Sequence, residues 1–357
     1  MVGKIEGRLL LVTIALLVAG LIFVYSASFP LALRLTGDEA GYLKRQLVGC
    51  LLGGLLLLAF WLGDYWYWTR LSPLLLAGVF GGLVLTQLPG IGVGGRWISL
   101  GPLSLQPSEF GKIALLLYLA RALLEGDPGD LRRGVLPHLA LLGAFGILLL
   151  AQPDFGMFLL YGALTFFMLW VAGARPRHLL GAAAAGLPAL GIALVVAPYR
   201  LGRILAFLNP TSFRHSYGYQ VYQSLLALGS GGVFGRGLGA SRAKLFYLPS
   251  AHNDFIFAVV GEEAGLLGAL ALILLLAALV ALGYRVSRDA RDELGTLLAL
   301  GATFILGFQA LLNLGVVVGV FPVTGLTLPF ISYGGSSLAV SMGLVGILLG
   351  VAREAER

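Results

Sequence analysis

Asp254 stands directly before six apolar residues in AHNDFIFAVVGEE (251–263), and two more carboxylates, Glu262 and Glu263, close the same stretch. Carboxylates beside so much apolar surface are costly unless they are capped, paired or put to chemical use. One use is proton abstraction: apolar neighbours raise such an acid's pKa, nearby cations lower it, and the balance sets its strength as a base. Cations are at hand. Residues 199–253 contain Arg200, Arg203, Arg214, Arg236, Arg242 and Lys244 but no Asp or Glu, a formal charge of +6. A basic, acid-free segment ending on a single acid fits a base working beside a bound phosphate. The plainer alternative is that Asp254 caps the following helix while the basic segment is solvated or touches anionic headgroups.

A second group lies in GGRWISLGPLSLQPSEFGK (94–112). Ser108 reads as a helix N-cap, and Glu109 and Lys112, three apart, share one helix face and can pair. Arg96 and Trp97 suit a membrane interface. A structural ion pair at the helix mouth accounts for this group, and so does a polar site at membrane depth. Asp154, after Gln152 and Pro153, likewise reads as a cap or as a site residue. Residues 321–325 and 332–337 form an uncharged stretch suited to small-residue packing, or to lining a cavity with amides and hydroxyls. GSGGVFGRGLGAS (229–241) contains a G-x-G-x-x-A spacing but has no βαβ surroundings, so it reads as a turn with exposed amides rather than a dinucleotide site. The four histidines are scattered and show no zinc spacing, and the single cysteine, Cys50, reads as a small core residue.

The elements that must hold these groups are transmembrane. Of 357 residues, 58% are apolar and 11% charged, and the mean hydropathy is +0.92. Soluble chains carry roughly 25% charge. The 52 glycines suit helices packed closely in a bilayer. Charge-poor runs at 9–28, 46–63, 71–88, 110–124, 135–151, 155–172, 179–198, 264–284, 295–318 and 335–352 predict an all-α polytopic protein with ten transmembrane helices. Pro153 marks a tight turn between the fifth and sixth, and the first is expected to be retained rather than removed as a signal. Thirteen Lys and Arg fall in one set of short loops and five in the other, which puts both termini in the cytoplasm. Residues 1–357 then form one membrane domain, with 199–263 as a long extracytoplasmic loop between helices 7 and 8. Within it, 218–230 has the spacing of an amphipathic interfacial helix.

A straight helix from Asp254 to Tyr284 would be about 46 Å long, against a hydrocarbon core of about 30 Å. With the span beginning near Ala264, Asp254 would stand about 15 Å above it, and FIFAVV would need a protein cover. Glu262 and Glu263 then mark the helix's entry into the bilayer as structural or interfacial groups.

Several motifs, in order from 94 to 338, carry a resemblance: GGRWISLG, QPSEFGK, QPDFG, GYQVYQSLLALGSGG, GRGLG, YLPSAHNDFIFAVVGEEAG and PVTGLTLPFISYGGSSL. The chain resembles the SEDS family (shape, elongation, division and sporulation), ten-helix peptidoglycan glycosyltransferases. The resemblance implies polymerisation of lipid II into glycan strands outside the bacterial cytoplasmic membrane. In that reaction an acceptor sugar hydroxyl displaces undecaprenyl pyrophosphate with inversion. It implies that Asp254 is the essential acid and general base, and that Arg96, Glu109, Lys112 and Asp154 line the polar cavity. The charge of the loop, apart from the resemblance, makes Arg203, Arg242 and Lys244 candidate pyrophosphate clamps. A divalent cation, Mg or Mn, could assist the leaving group, although no dedicated cage is visible. The partners implied are lipid II, membrane lipid and a class B penicillin-binding protein, with the long loop or a small-residue face of the last three helices as places for that contact. Nucleic acid is not expected. The chain departs from the family's H-T-D-F at Asn253, which keeps a polar side chain. PVTG, PFIS, QPSEFGK and the short N-terminal tail are similar to the elongation branch (RodA), and YLPSAHNDF to the division branch (FtsW); the balance favours elongation and rod shape.

Two other functions remain to be weighed. A lipid II flippase would need charges along a midplane path, and runs 179–198, 264–284 and 295–318 contain no Asp, Glu, Lys or Arg. A non-catalytic scaffold for wall enzymes would leave the outer acid and base groups idle.

Overall fold

The computed structural model describes residues 3–356 apart from 101–102, 196–197, 210–212 and 214, so Arg214 lies outside the described residues. Thirteen α-helices follow one another among the described residues: α1 (Lys4–Thr36), α2 (Gly41–Leu62), α3 (Tyr65–Arg70), α4 (Ser72–Leu85), α5 (Pro107–Glu125), α6 (Leu136–Ala151), α7 (Phe155–Val171), α8 (Pro176–Val195), α9 (Pro198–Leu208), α10 (Tyr219–Gly231), α11 (Ile256–Arg288), α12 (Glu293–Val317) and α13 (Gly335–Ala355). Ten of them coincide with the ten apolar runs. Six helical stretches, Lys4–Thr36, Gly41–Leu62, Leu131–Ala151, Ile256–Arg288, Glu293–Val317 and Gly335–Ala355, are long and apolar enough to cross a membrane unaided. α4 and α7 are shorter apolar helices. α5, which carries Glu109, Lys112 and Arg121, is nevertheless buried along most of its length. Crossing with charges aboard is tolerable because neighbouring helices, not lipid, surround them.

One element departs from the all-α reading. Residues 92–105 form a three-stranded antiparallel sheet, β1 (Gly92–Val93), β2 (Trp97–Leu100) and β3 (Leu103–Leu105), in sequence order. Gly94 and Gly95, both at positive φ, make the first turn, a conformation that side chains with a Cβ rarely adopt. The sheet carries Arg96 at its first turn.

α13 is the hub, with residues 337–352 buried throughout. It lies so close to α2 that a Cβ on Gly49 would come within 2.5 Å of Gly335 Cα, and one on Gly346 within 2.5 Å of the Leu57 carbonyl. Gly49 and Gly53 on α2, like Gly346 and Gly350 on α13, stand four apart and let the backbones touch. The small residues of the last helix therefore serve internal packing. α13 does not offer the exposed docking face considered for it.

α11 is two helices. Gly265, at φ 67° and ψ −168°, interrupts it. Ile256 to Glu263 are all buried, and Leu266 and Leu267, just beyond the break, are exposed. The main-chain groups freed by the break pair with the segment after α10: Leu266 N donates to Gly232 O (2.9 Å), Leu267 N to Val233 O (3.2 Å), Arg236 N to Glu262 O and Gly237 N to Glu263 O (both 3.0 Å). Each such group, left buried and unpaired, would cost about 1–3 kcal/mol. The straight 46 Å helix assumed from sequence is thus replaced by a short buried helix and a separate span. The height of about 15 Å derived for Asp254 assumed that straight helix and no longer follows from it. FIFAVV is covered by protein, as its composition required.

Glu262 and Glu263 are also set by this break. Glu262 accepts from Arg236 Nη1 (3.0 Å), Ser241 Oγ (2.6 Å) and the Arg242 and Ala243 amides (both 3.1 Å). Glu263 pairs with Lys244 Nζ at 2.7 Å and accepts from Ser26 Oγ of α1. Both glutamates are buried. They are structural, as one of the two readings had it, and they tie residues 230–244 to α11 rather than marking a bilayer interface. α10 packs against α12, where Ser224 Oγ donates to Val317 O (2.5 Å).

Candidate active site

Asp254 lies in the turn before α11 and does not cap it. The helix begins at Ile256, and its capping residue, Phe255, makes no side-chain cap bond. The capping alternative therefore falls away. The turn is held from the main chain: His252 O accepts from Tyr333 N (2.9 Å), Asn253 O from Ser332 Oγ (2.7 Å) and Asp254 O from Asn313 Nδ2 (2.8 Å). The carboxylate itself forms no salt bridge among the described residues. Burial pushes its pKa from 3.8 up to about 6, while its own amide, Arg203 and Arg96 pull the other way. The side chain is recessed yet still reaches solvent. Between desolvation and cations, the two effects weighed from sequence, desolvation is the larger.

Arg203, on α9, donates to Val323 O at 3.3 Å and faces Asp254. Arg96 donates to Gln152 O at 2.9 Å and also to Pro153 O, at the turn between α6 and α7. That turn is where Pro153 predicted it. Asp154 caps α7 by accepting from Met157 N (3.3 Å), and it also accepts from Gln106 Nε2 (3.3 Å). Burial raises its pKa, against the pull of Arg96. Arg96 thus faces both acids, Asp154 and Asp254.

Behind Asp154, Lys112 pairs with Glu109 inside the bundle, and Lys112 Nζ donates to Gln309 Oε1 (2.8 Å). Gln309 in turn donates to Thr327 O (2.9 Å), and Thr327 Oγ1 meets Ser337 Oγ at 2.7 Å. The N-cap of α5 is Gln106, with Pro107 in the first turn, not Ser108. Ser108 instead lends its carbonyl to Tyr161 Oη (2.6 Å).

The structure therefore brings Arg96, Glu109, Lys112, Asp154, Arg203 and Asp254 to one end of the bundle. Two of the expected clamps stand differently. Lys244 is buried against Glu263 and Ser26, so its charge is already neutralised and its ammonium cannot face a substrate without breaking that pair. Arg242 uses its main-chain amide on Glu262 but leaves its side chain exposed. Among the described residues, no three His, Cys, Asp or Glu side chains gather as a metal site. That donor set does not fit a resident divalent cation. A cavity of about 530 Å³, lined by Asp64, Trp66, Arg291, Asp292 and Arg353 among others, sits at the opposite end of α2 and takes no part here.

Gln309 and Asn313 went unnoticed in the sequence because a search for charged groups passes over them. Their signal was present: two carboxamides four apart in an apolar run share one helix face. On α12 they reach Lys112 and the Asp254 turn respectively.

Compared with known proteins, residues 7–357 match the model of the cell cycle protein family FtsW/RodA/SpoVE. The chain belongs to this family. It is 41% identical over 351 residues to the stage V sporulation protein E of Bacillus subtilis, covering 97% of this chain and 96% of that protein. It is 44% identical over 350 residues to the probable peptidoglycan glycosyltransferase FtsW of Trichlorobacter lovleyi, covering 96% and 92%. A solved structure described as the structural coordination of polymerization and crosslinking by a peptidoglycan synthase complex shares the fold. Its TM-score is 0.79 at 31% identity, over 98% of both chains. The SEDS resemblance and the ten-span fold are thereby shown.

Proposed function

We propose that this FtsW/RodA/SpoVE-family chain is a peptidoglycan glycosyltransferase that polymerises lipid II. The observation that carries the reading is Asp254 itself: a recessed carboxylate without a salt bridge among the described residues, its pKa raised to about 6, facing two arginines. Such a group is ionised at neutral pH yet basic enough to take a proton. The acceptor sugar hydroxyl gives its proton to Asp254 as its oxygen attacks the donor's anomeric carbon. The bond from that carbon to the pyrophosphate oxygen breaks, so undecaprenyl pyrophosphate leaves and the configuration inverts. Arg203 and Arg96 offset the charge that develops on the pyrophosphate. Glu109, Lys112 and Asp154 shape the polar wall behind them, and the exposed Arg242 extends the basic surface.

The positive-inside count supports both termini in the cytoplasm of a bacterial inner membrane, with 199–263 as the outer loop of a single membrane domain. A class B penicillin-binding protein fits as partner, since the solved relative comes from a complex that couples polymerization to crosslinking. For the cellular role, PVTG, PFIS and QPSEFGK favour elongation. The FtsW and sporulation names of the relatives favour division or spore-wall synthesis as the second reading. Complementation of elongation-defective and division-defective strains separates them.

The test is polymerisation of labelled lipid II by purified protein with its transpeptidase, alongside transfer of lipid II across liposomes. Polymer formation that disappears in Asp254→Asn is expected. A well-folded Asp254→Asn variant with full activity sinks the base assignment, and lipid transfer without polymer returns the flippase.

A further inference from the structure

Asp254 is a base whose aim depends on its backbone, because no other side chain holds the carboxylate among the described residues. What holds the backbone is a row of three consecutive carbonyls. Tyr333 N, Ser332 Oγ and Asn313 Nδ2 take the carbonyls of residues 252, 253 and 254 in turn, at 2.9, 2.7 and 2.8 Å. Two of these donors are side chains buried in the bundle, Asn313 at 1% and Ser332 at 4% exposure.

Each donor is itself fixed. Asn313 Nδ2 also donates to Leu326 O (2.7 Å), and Ser332 Oγ accepts from Leu328 N (2.8 Å). Gln46 of α2 donates to Ser332 O (3.2 Å) and accepts from Gly334 N (3.0 Å). The stretch 326–334 is thereby spliced between α2, α12 and the Asp254 turn. Among the described residues, Asn313 Oδ1 is buried with no hydrogen-bond partner. Packing alone does not explain an orphan acceptor there, because an apolar side chain would fill the space without leaving one; the donations from Nδ2 do explain it.

Resting on the reading of Asp254 as the base, we infer that Asn313 and Ser332 are positioning residues that aim its carboxylate at the acceptor hydroxyl. Neither touches substrate. Each acts by fixing a peptide carbonyl of the turn, so that the carboxylate meets the reacting proton without a search through conformers. This role adds to the proposed chemistry two neutral residues, on two different segments, that no charge pattern singles out.

The experiment uses the full chain with its transpeptidase and lipid II, comparing wild type, Asp254→Asn, Asn313→Ala, Ser332→Ala and Ser332→Thr. Asn313→Ala and Ser332→Ala are each expected to lower kcat by roughly tenfold to a hundredfold, the range reached by small misplacements of a reacting group. KM should stay within about twofold, since ground-state binding is untouched. Both should move the acid limb of the pH–rate profile, which a purely structural defect would leave in place. Ser332→Thr, which keeps the hydroxyl, should retain kcat. Thermal unfolding identifies the variants that remain folded; if Asn313→Ala does not, Ser332→Ala decides. Wild-type kcat in folded Ser332→Ala and Asn313→Ala overturns the inference, as does a loss of kcat that only tracks unfolding. The control separates the two levels: an active Asp254→Asn defeats the base assignment, whereas an inactive Asp254→Asn beside fully active anchor variants defeats only the positioning role.

Discussion

Lys244 Nζ lies 2.7 Å from Glu263 Oε1, and neither side chain is open to solvent. A buried pair of this kind adds little net stability while intact, but removing one partner strands the other charge at a cost of about 3–5 kcal/mol. Lys244→Met is therefore expected to lower the unfolding temperature in detergent sharply, and adding Glu263→Gln should recover most of the loss. A Lys244→Met variant of unchanged stability with a raised KM for lipid II would return Lys244 to the substrate.

Arg242 differs from Lys244 by two residues and by environment. Its guanidinium is exposed and its main-chain bond to Glu262 survives any side-chain change. Arg242→Ala should leave the unfolding temperature within about 1 °C, since surface substitutions usually cost under 0.5 kcal/mol, while raising KM for lipid II. Unchanged KM removes it from the pyrophosphate surface.

Activity should rise with pH through about 6, the value to which burial pushes Asp254, because only the carboxylate can accept the hydroxyl proton. The neighbouring charges are those of Arg203 and Arg96. His252, two residues away, is pushed down to about 4 by burial and stays neutral. A raised carboxyl pKa means that the fold prefers the protonated form. Its contribution to stability is fully present below about 4, fades between about 4 and 6 and is lost above. Asp254→Asn should thus be at least as stable as wild type at pH 7, by about 1–2 kcal/mol after allowing for partial exposure. Kinetics flat from pH 5 to 8, or a destabilised Asp254→Asn, contradict this.

Gly265→Ala should be among the most damaging small substitutions. At φ 67° and ψ −168° the residue occupies a region that is essentially reserved for glycine, and a Cβ would lie 2.3 Å from Gly235 N. A loss on the order of 3 kcal/mol is expected, read as a lower unfolding temperature and a lower yield of monodisperse protein. Gly181→Ala on α8, where a Cβ meets nothing within 4 Å, is the control and should stabilise slightly.

The ten spans were legible because lipid demands long apolar runs, and the Pro153 turn because a stretch of 38 residues is too long for one span. Asp254, Arg96 and Arg203 were legible because charge is scarce in such a chain. The β-sheet at 92–105 was not, since strands this short leave no periodicity that stands out from a loop. The break at Gly265 was hidden for a related reason: glycine is so frequent here that one residue at positive φ carries no signal of its own. Lys244 was misjudged because sequence counts charges but does not pair them across 19 positions. Asn313 was overlooked because its role lies in its donor geometry.

The interruption of α11 has a mechanical consequence. The acid-bearing turn is mounted on α12 and the 326–334 stretch, while the span that follows it in sequence starts afresh at Gly265, where its main chain is pinned to residues 232–237. The turn and the start of residues 266–288 are therefore fixed by two separate sets of hydrogen bonds, and the acid does not depend on one continuous helix axis reaching down through the membrane for its place.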